Sequence, residues 1–178
     1  MDFRSPFVDR TSKIRRMLSQ LPSLQVLSER DTPFTLFSHA SAIKSLQQAA
    51  EERSQTPQQI VRSILFRMSE NHFIMVLIAG PAQISWIKLR TYLGKSRITL
   101  ATQAEVFRVT GYQIGSVSPF GLSHPIRILA DHNVFENAEI SLGSGNPGTA
   151  IIMKSIDLKR ILENIEISNF STIYPETS

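Results

Sequence analysis

The apolar positions of the chain follow two periods, and the switches between them mark out its elements. Residues 34–38 alternate apolar and polar after Pro33 and predict a short strand. Ile43, Leu46 and Ala50 then share one helical face, with Ser41 placed to cap the helix. Thr56-Pro57-Gln58-Gln59 is a capping box with proline at the first helical position, and predicts a brief helical turn. Residues 60–66 and 73–79 read as strands joined by a polar hairpin turn at 69–72. The second of them, FIMVLIA, is apolar on both faces and belongs at the centre of a sheet. Gly80-Pro81 stops it. Ser85 caps a helix carrying Ile87, Leu89 and Leu93, which Gly94 ends. A short strand at 98–100 precedes Thr102-x-x-Glu105, a second capping box, whose helix ends at Gly111. Residues 126–130 form a strand ending at Asp131, and 139–142 and 150–153 flank the turn 143–148 as a hairpin. Ser155 caps a last helix carrying Ile156, Ile161 and Leu162.

Strands and helices interleave but include hairpins, which predicts an α/β fold with a mixed sheet. The pattern gives one domain over 33–163. Residues 1–32 read as a helical extension: Ile14, Met17, Leu18 and Leu21 fall at helical spacing, and Arg10, Lys13, Arg15 and Arg16 cover the other face. That helix either packs on the domain or presents its basic face to nucleic acid. Residues 164–178 lack a period and read as a C-terminal tail.

Composition narrows the chemistry. The chain has 178 residues, 42% hydrophobic and 19% charged, as a soluble globular domain does. It has no cysteine, so disulfides, a thiol nucleophile and thiolate metal sites are excluded. The longest apolar run, 73–79, is too short to span a bilayer. The first residues, MDFRSPFVDR, contain no apolar core of a secretory signal, and a cytoplasmic location is expected. A net charge of +4 suits a polyanionic partner without requiring one. His39, His72, His124 and His132 fall in neither HxH nor HExxH spacing, so no metal site is expected. There is no GxSxG elbow and no phosphate-binding GxxxxGK[ST] loop. Residues 143–148 match GxGxxG, but a β-branched apolar run follows instead of a helix, so a hairpin turn is the better reading.

The stretch 110–122, TGYQIGSVSPFGL, is the candidate working site. Gly111, Gly115, Gly121 and Pro119 make it a shaped loop whose remaining N–H groups can point at a ligand. A rigid connector is the alternative.

The order of motifs resembles a family. Val61-Arg62-Ser63-Ile64-Leu65-Phe66 matches a strand of the type V-K-[ST]-L-[VL]-F, followed by the apolar strand 73–80 and the pair Lys88-Leu89. Residues 101–121 match A-[ST]-x-x-E-[VA]-x-x-x-T-G-[YF]-x-x-G-x-x-x-P-F-G, and Asp131 and the hairpin 142–148 complete the order. The chain thereby resembles the YbaK/ProX family of aminoacyl-tRNA deacylases, which is related to the insertion domain of bacterial prolyl-tRNA synthetases.

The resemblance implies a single-domain α/β fold with a curled, partly barrel-like mixed sheet and peripheral helices. It implies hydrolysis of the ester joining a wrong amino acid to the 3′ end of a tRNA, for instance alanine or cysteine on tRNA-Pro, with no metal and no cofactor. The partners implied are tRNA and, secondarily, an aminoacyl-tRNA synthetase. It implies that the segment Gly115, Ser116, Val117, Ser118, Pro119 lies beside the aminoacyl group. It also points to His39, Lys88, Tyr112, Phe120, Gly121, Asp131, Gly143, Ser144 and Gly145 as the substrate side of the site. The chief functional residue of the family is the lysine of its V-K-[ST]-L strand, and Arg62 stands there in this chain. Arginine is longer, planar and always charged, so it can anchor an acceptor but cannot give up its proton. A binding module with slow or no turnover, and a pocket for a free nucleotide or adenylate, are the competing readings.

Overall fold

A computed structural model of the chain describes Arg16 and residues 19–172. The fold is organised around one fully buried strand. After α1 (Pro22–Glu29), β1 (Thr35–Ser38), α2 (Leu46–Glu52) and a 3-10 turn at Pro57–Gln59, the chain forms the hairpin β2 (Val61–Ser69) and β3 (His72–Ala79). From Phe73 to Ala79 every residue of β3 is buried, as its two-faced apolarity requires. There follow β4 (Gln83–Ile84), α3 (Trp86–Leu93), β5 (Thr99–Leu100), α4 (Gln103–Thr110) and the glycine-rich loop. The chain closes with β6 (Arg127–Asp131), β7 (Glu139–Gly143), β8 (Thr149–Lys154), α5 (Ser155–Ile161), β9 (Glu166–Ser168) and β10 (Ser171–Thr172).

The large sheet has the order β5-β2-β3-β6-β9 and is mixed: β2 is antiparallel to its neighbours, and β3–β6 and β6–β9 are parallel. A second sheet, β1-β8-β7, is antiparallel. A single parallel bridge between Ile60 and Ser141 links the two where β2 begins. The sheets curl about one core, and among the described residues they do not close into a barrel. One face of β2 and β3 packs Val61, Leu65, Met75 and Leu77 against Leu24, Leu27, Phe120, Ile140 and Ile151. The other packs Phe66, Ile74 and Val76 against Leu89 and Phe170.

The sequence signals for turns and caps hold with two corrections. Ser85 and Thr102 cap α3 and α4, and Gly94 and Gly111 end them in the left-handed conformation. Helix α2 starts at Leu46, capped by Ser45, not at Ser41. Only Ser45 has a glutamine three residues on, and the Gln48 amide donates to its hydroxyl at 3.0 Å while the Gln48 side chain accepts from the Lys44 amide at 3.0 Å. Ser155 is the first helical residue of α5 and caps nothing, because its amide and hydroxyl are both committed to the Ala138 carbonyl.

Two segments outside 33–163 are part of the same body. Leu24 and Leu27 of α1 are fully buried in the main core. The stretch expected as a tail contributes β9 to the large sheet and β10 beside β4. The expected helix around Ile14–Leu21 lies largely outside the described residues.

Asp131 organises that C-terminal return. Its carboxylate accepts the amides of Phe170 and Ser171, each at 2.7 Å, and that of Asn133 at 3.0 Å. Asp131→Ala leaves buried donors without an acceptor, at roughly 1–3 kcal/mol each. The expected result is a loss of about 3 kcal/mol in urea unfolding, with the β9–β10 amides exchanging fastest. Unchanged stability and exchange would contradict this reading.

Candidate functional site

The glycine-rich loop is built by the elements on either side of it. Helix α4 ends at Gly111, and the Ser123 amide returns to the Thr110 carbonyl at 3.2 Å, closing the loop at its base. Tyr112 fills its interior: its hydroxyl donates to the Phe120 carbonyl at 2.7 Å, with that of Gly121 at 3.0 Å. Burial pushes this phenol above its ordinary pKa. The tip then meets the β7–β8 hairpin. The Gly145 amide donates to the Ser116 carbonyl at 2.7 Å, and Gly143 lies so close to Ser116 and Val117 that a Cβ there would overlap their backbone.

This contact closes one side of a cavity of about 320 Å³. Its wall comes from α2 and the segment before it (Ile43, Leu46, Ala49, Arg53), from the start of β2 (Val61, Arg62, Ser63), from Gly115 and Val117, and from Leu142, Gly143 and Thr149. Among the described residues the outer edge of this part of β2 carries only the Ile60–Ser141 bridge to β7, since β5 pairs only with Phe66 and Arg67. Gly115 has φ +90° and nothing within 4 Å of where a Cβ would stand, so its missing side chain is open space. The Ser116 amide is committed to the Gln113 carbonyl at 3.1 Å. Among the described residues the amides of Gly115, Val117 and Ser118 have no acceptor.

Four of the expected site residues meet at this cavity: Arg62, Gly115, Val117 and Gly143. Arg62 is half-buried, and burial holds its guanidinium below its ordinary pKa. One terminal nitrogen donates to the Ala82 carbonyl, while its Nε is buried without a partner among the described residues. The serines of the loop, expected beside the aminoacyl group, turn their hydroxyls inward. Ser116 Oγ donates to Gln113 at 3.0 Å, and Ser118 Oγ accepts from Phe120 at 3.2 Å. Pro119 and Phe120 are buried behind them.

The other expected residues hold the framework. Gly121 packs on Pro22 and Ser23, and Gly145 on the Tyr112 ring. The buried Ser144 bonds within the hairpin turn to Thr149 Oγ1 at 2.5 Å. Lys88 is exposed on α3 and binds Asn169 and the Ser171 carbonyl at 2.9 and 2.7 Å, away from the cavity lining. His39 lies behind the wall against Glu52 and Arg53. Arg53 and Ser63 are among the lining residues that were not expected from sequence. Arg53 caps α2 at its C-terminus, and Ser63 has a buried hydroxyl without a partner among the described residues. The alternation of β2 offered a signal for Ser63, a polar residue between Val61 and Leu65 on the core side. A separate groove of about 350 Å³ at the far end of β2, lined by Arg67, Arg97 and Arg108, shares no residue with the loop.

The family model described as an aminoacyl-tRNA editing domain matches residues 40–161. The chain belongs to that family. The matched span runs from just before α2 to the end of α5 and so contains every wall of the cavity. The proline–tRNA ligase of Brachyspira hyodysenteriae is 31% identical over 122 residues, covering 68% of this chain and 21% of the ligase. That of Kosmotoga olearia is 36% identical over 92 residues, 52% of this chain and 16% of the ligase. The chain thus spans about a fifth of the length of these curated relatives. A solved structure described as a candidate trans-editing enzyme for prolyl tRNA synthetase superposes with a TM-score of 0.77 at 19% identity, over 89% of this chain and 96% of that one. At that identity the likeness establishes the fold. No helix among the described residues is long and apolar enough to cross a membrane.

The two glycines facing this editing-domain cavity should differ in tolerance. Gly143→Ala forces a methyl into the Ser116–Val117 backbone, and about 2–3 kcal/mol of stability should be lost. Gly115→Ala meets open space, so only its positive φ opposes it, at about 1–2 kcal/mol. Paired urea titrations check the order, and a Gly115→Ala protein less stable than Gly143→Ala would contradict the placement of Gly143 against the loop backbone and of Gly115 in open space.

Proposed function

We propose that this editing domain hydrolyses the ester of a mischarged aminoacyl-tRNA in trans, with a small amino acid such as alanine or cysteine on tRNA-Pro or a related tRNA. The observation that carries the reading is the cavity itself. Gly115 and Val117, whose amides have no acceptor among the described residues, and the charged Arg62 line one space of about 320 Å³ that the open position at Gly115 faces. That size suits an aminoacyl ribose with a short side chain. The aliphatic wall of Ile43, Leu46, Ala49 and Leu142 suits an apolar one. The names of the ligase relatives and of the superposing structure favour tRNA-Pro as the carrier and a prolyl-tRNA synthetase as the functional associate.

The chemistry asks little of side chains. An aminoacyl ester is activated, so a positioned water suffices as nucleophile. Water attacks the ester carbonyl carbon, and the developing oxyanion accepts from the amides of Gly115 and Val117. The bond to the ribose oxygen then breaks, and that oxygen takes up a proton. Among the described residues the cavity lining contains no carboxylate and no imidazole. The water's proton therefore passes to solvent or to the substrate's own amine. Arg62 stays protonated and acts as a fixed charge. One methylene in such a pocket discriminates by about 1–3 kcal/mol, which is what a separate editing step adds to synthesis.

The commitment of Arg62 to the Ala82 carbonyl favours a second reading, a tRNA-binding module without turnover. A deacylation screen of purified protein against mischarged tRNAs decides between them, beginning with Ala-tRNA-Pro and Cys-tRNA-Pro. Turnover above buffer is expected, and its absence on every substrate leaves only binding. Arg62→Lys should retain turnover, whereas Arg62→Ala should lower it about 10- to 100-fold, the weight of a hydrogen bond to a charged group. Wild-type turnover and binding in Arg62→Ala would remove Arg62 from the site. Gly115→Val should fold and be inactive, because its side chain occupies the substrate space. Affinity for tRNA should fall steeply with salt, and a salt-independent constant would instead favour a small free ligand.

A further inference from the structure

Two arginines line the cavity, and their forks are engaged differently. Arg62 reaches past the wall to the Ala82 carbonyl. Arg53 is held in place by a chain of side chains. Its Nε and one terminal nitrogen donate to His39 Nε2 at 3.1 and 2.9 Å, and the other terminal nitrogen donates to Ser141 Oγ at 2.8 Å. Both N–H groups aimed at His39 Nε2 need that nitrogen's lone pair. The ring proton is therefore on Nδ1, and it is donated to Glu52 Oε2 at 2.7 Å. The other Glu52 oxygen accepts from Gln48 at 2.9 Å. Glu52 is held below its ordinary carboxylate pKa, first by the His39 hydrogen bond and then by Gln48, so it remains an acceptor at neutral pH.

This arrangement does more than strap α2 to β7. A guanidinium carries five N–H groups. Among the described residues three are engaged, which leaves two on a fixed, partly desolvated fork at the cavity wall. Two N–H groups on a planar cation match two oxygens of a phosphodiester. The amino acid of the substrate carries an ammonium, which a second cation repels. The nucleotide end of the substrate is therefore the part that Arg53 can hold.

Resting on the proposed function, we propose that Arg53 is a substrate-binding residue that grips the phosphodiester of the 3′-terminal nucleotide. His39, Glu52 and Ser141 are the positioning residues that orient its fork. With the phosphate fixed there, the ester is directed toward Gly115 and Val117. Arg53 takes no part in bond breaking.

The test uses the full chain and a tRNA carrying alanine through a non-hydrolysable amide, with binding followed across a salt series and deacylation followed on the ester. Arg53→Met keeps the length and removes the charge. It should weaken binding about tenfold and reduce the slope of log affinity against log salt by about 0.7, the share of one neutralised phosphate on a single strand. KM should rise while kcat changes little, because the phosphate is held equally in ground and transition states. Lys159→Met, on the exposed face of α5, should leave the slope unchanged. A folded Arg53→Met protein with wild-type affinity and slope overturns the proposal, as does one that loses stability alone. Should Arg53→Met not fold, Arg53→Lys keeps the charge but not the fork. It should preserve the slope and raise KM several-fold, and a wild-type KM overturns the proposal. Wild-type protein that binds no tRNA overturns this inference and the proposed function together. Wild-type turnover with an indifferent Arg53→Met overturns this inference alone.

Discussion

The contact between the β7–β8 hairpin and residues 115–118 is the constraint on which the site depends. The Gly145 amide is bonded to the Ser116 carbonyl, and the Gly143 backbone touches that of Val117 where a Cβ would not fit. Two segments with few side chains of their own can approach this closely only through glycine. Among the described residues the Val117 amide, at this contact, has no acceptor. The loop is thus held from outside by the hairpin and from inside by Tyr112, and its unpaired donors are fixed before any ligand arrives.

The same constraint explains the mixture of rigid and open surfaces around the cavity. β3 is buried on both faces and sets β2 in place, but the first residues of β2 have only the Ile60–Ser141 bridge on their outer edge among the described residues. Beyond that bridge, the loop, the hairpin and α2 surround the edge without pairing with it among the described residues. A cavity made this way has backbone donors and aliphatic walls but few titratable groups. It suits an ester that is already activated, where positioning and charge stabilisation matter more than a strong base.

Much of this was legible in the sequence because it depends on local signals. The two-faced apolar run of β3, the boxes at Thr56 and Thr102, and the glycines at 94 and 111 each report a local conformation. The family pattern located the loop and the position of Arg62. What stayed hidden depends on long-range pairing. Residues 166–168 are too few to show a period and become a strand only because β6 offers an edge. Ser116 and Ser118 belong to the segment expected beside the aminoacyl group, and only the folded turn directs their hydroxyls inward. Arg53 follows two glutamates at a helix end and reads as a solvated charge. Only the fold brings His39 and Ser141, 14 and 88 residues away, to hold it.

The central claim is that the 3′ end of a mischarged tRNA enters the cavity beside Gly115 and Val117. Backbone amide shifts recorded while adding a 3′-aminoacyl-adenosine analogue with an amide in place of the ester test it most directly. The largest changes are predicted at Gly115, Val117 and Ser118, with Ser63 and Gly143 following. Changes confined to the groove around Arg67, Arg97 and Arg108, with the loop amides unmoved, would contradict the claim.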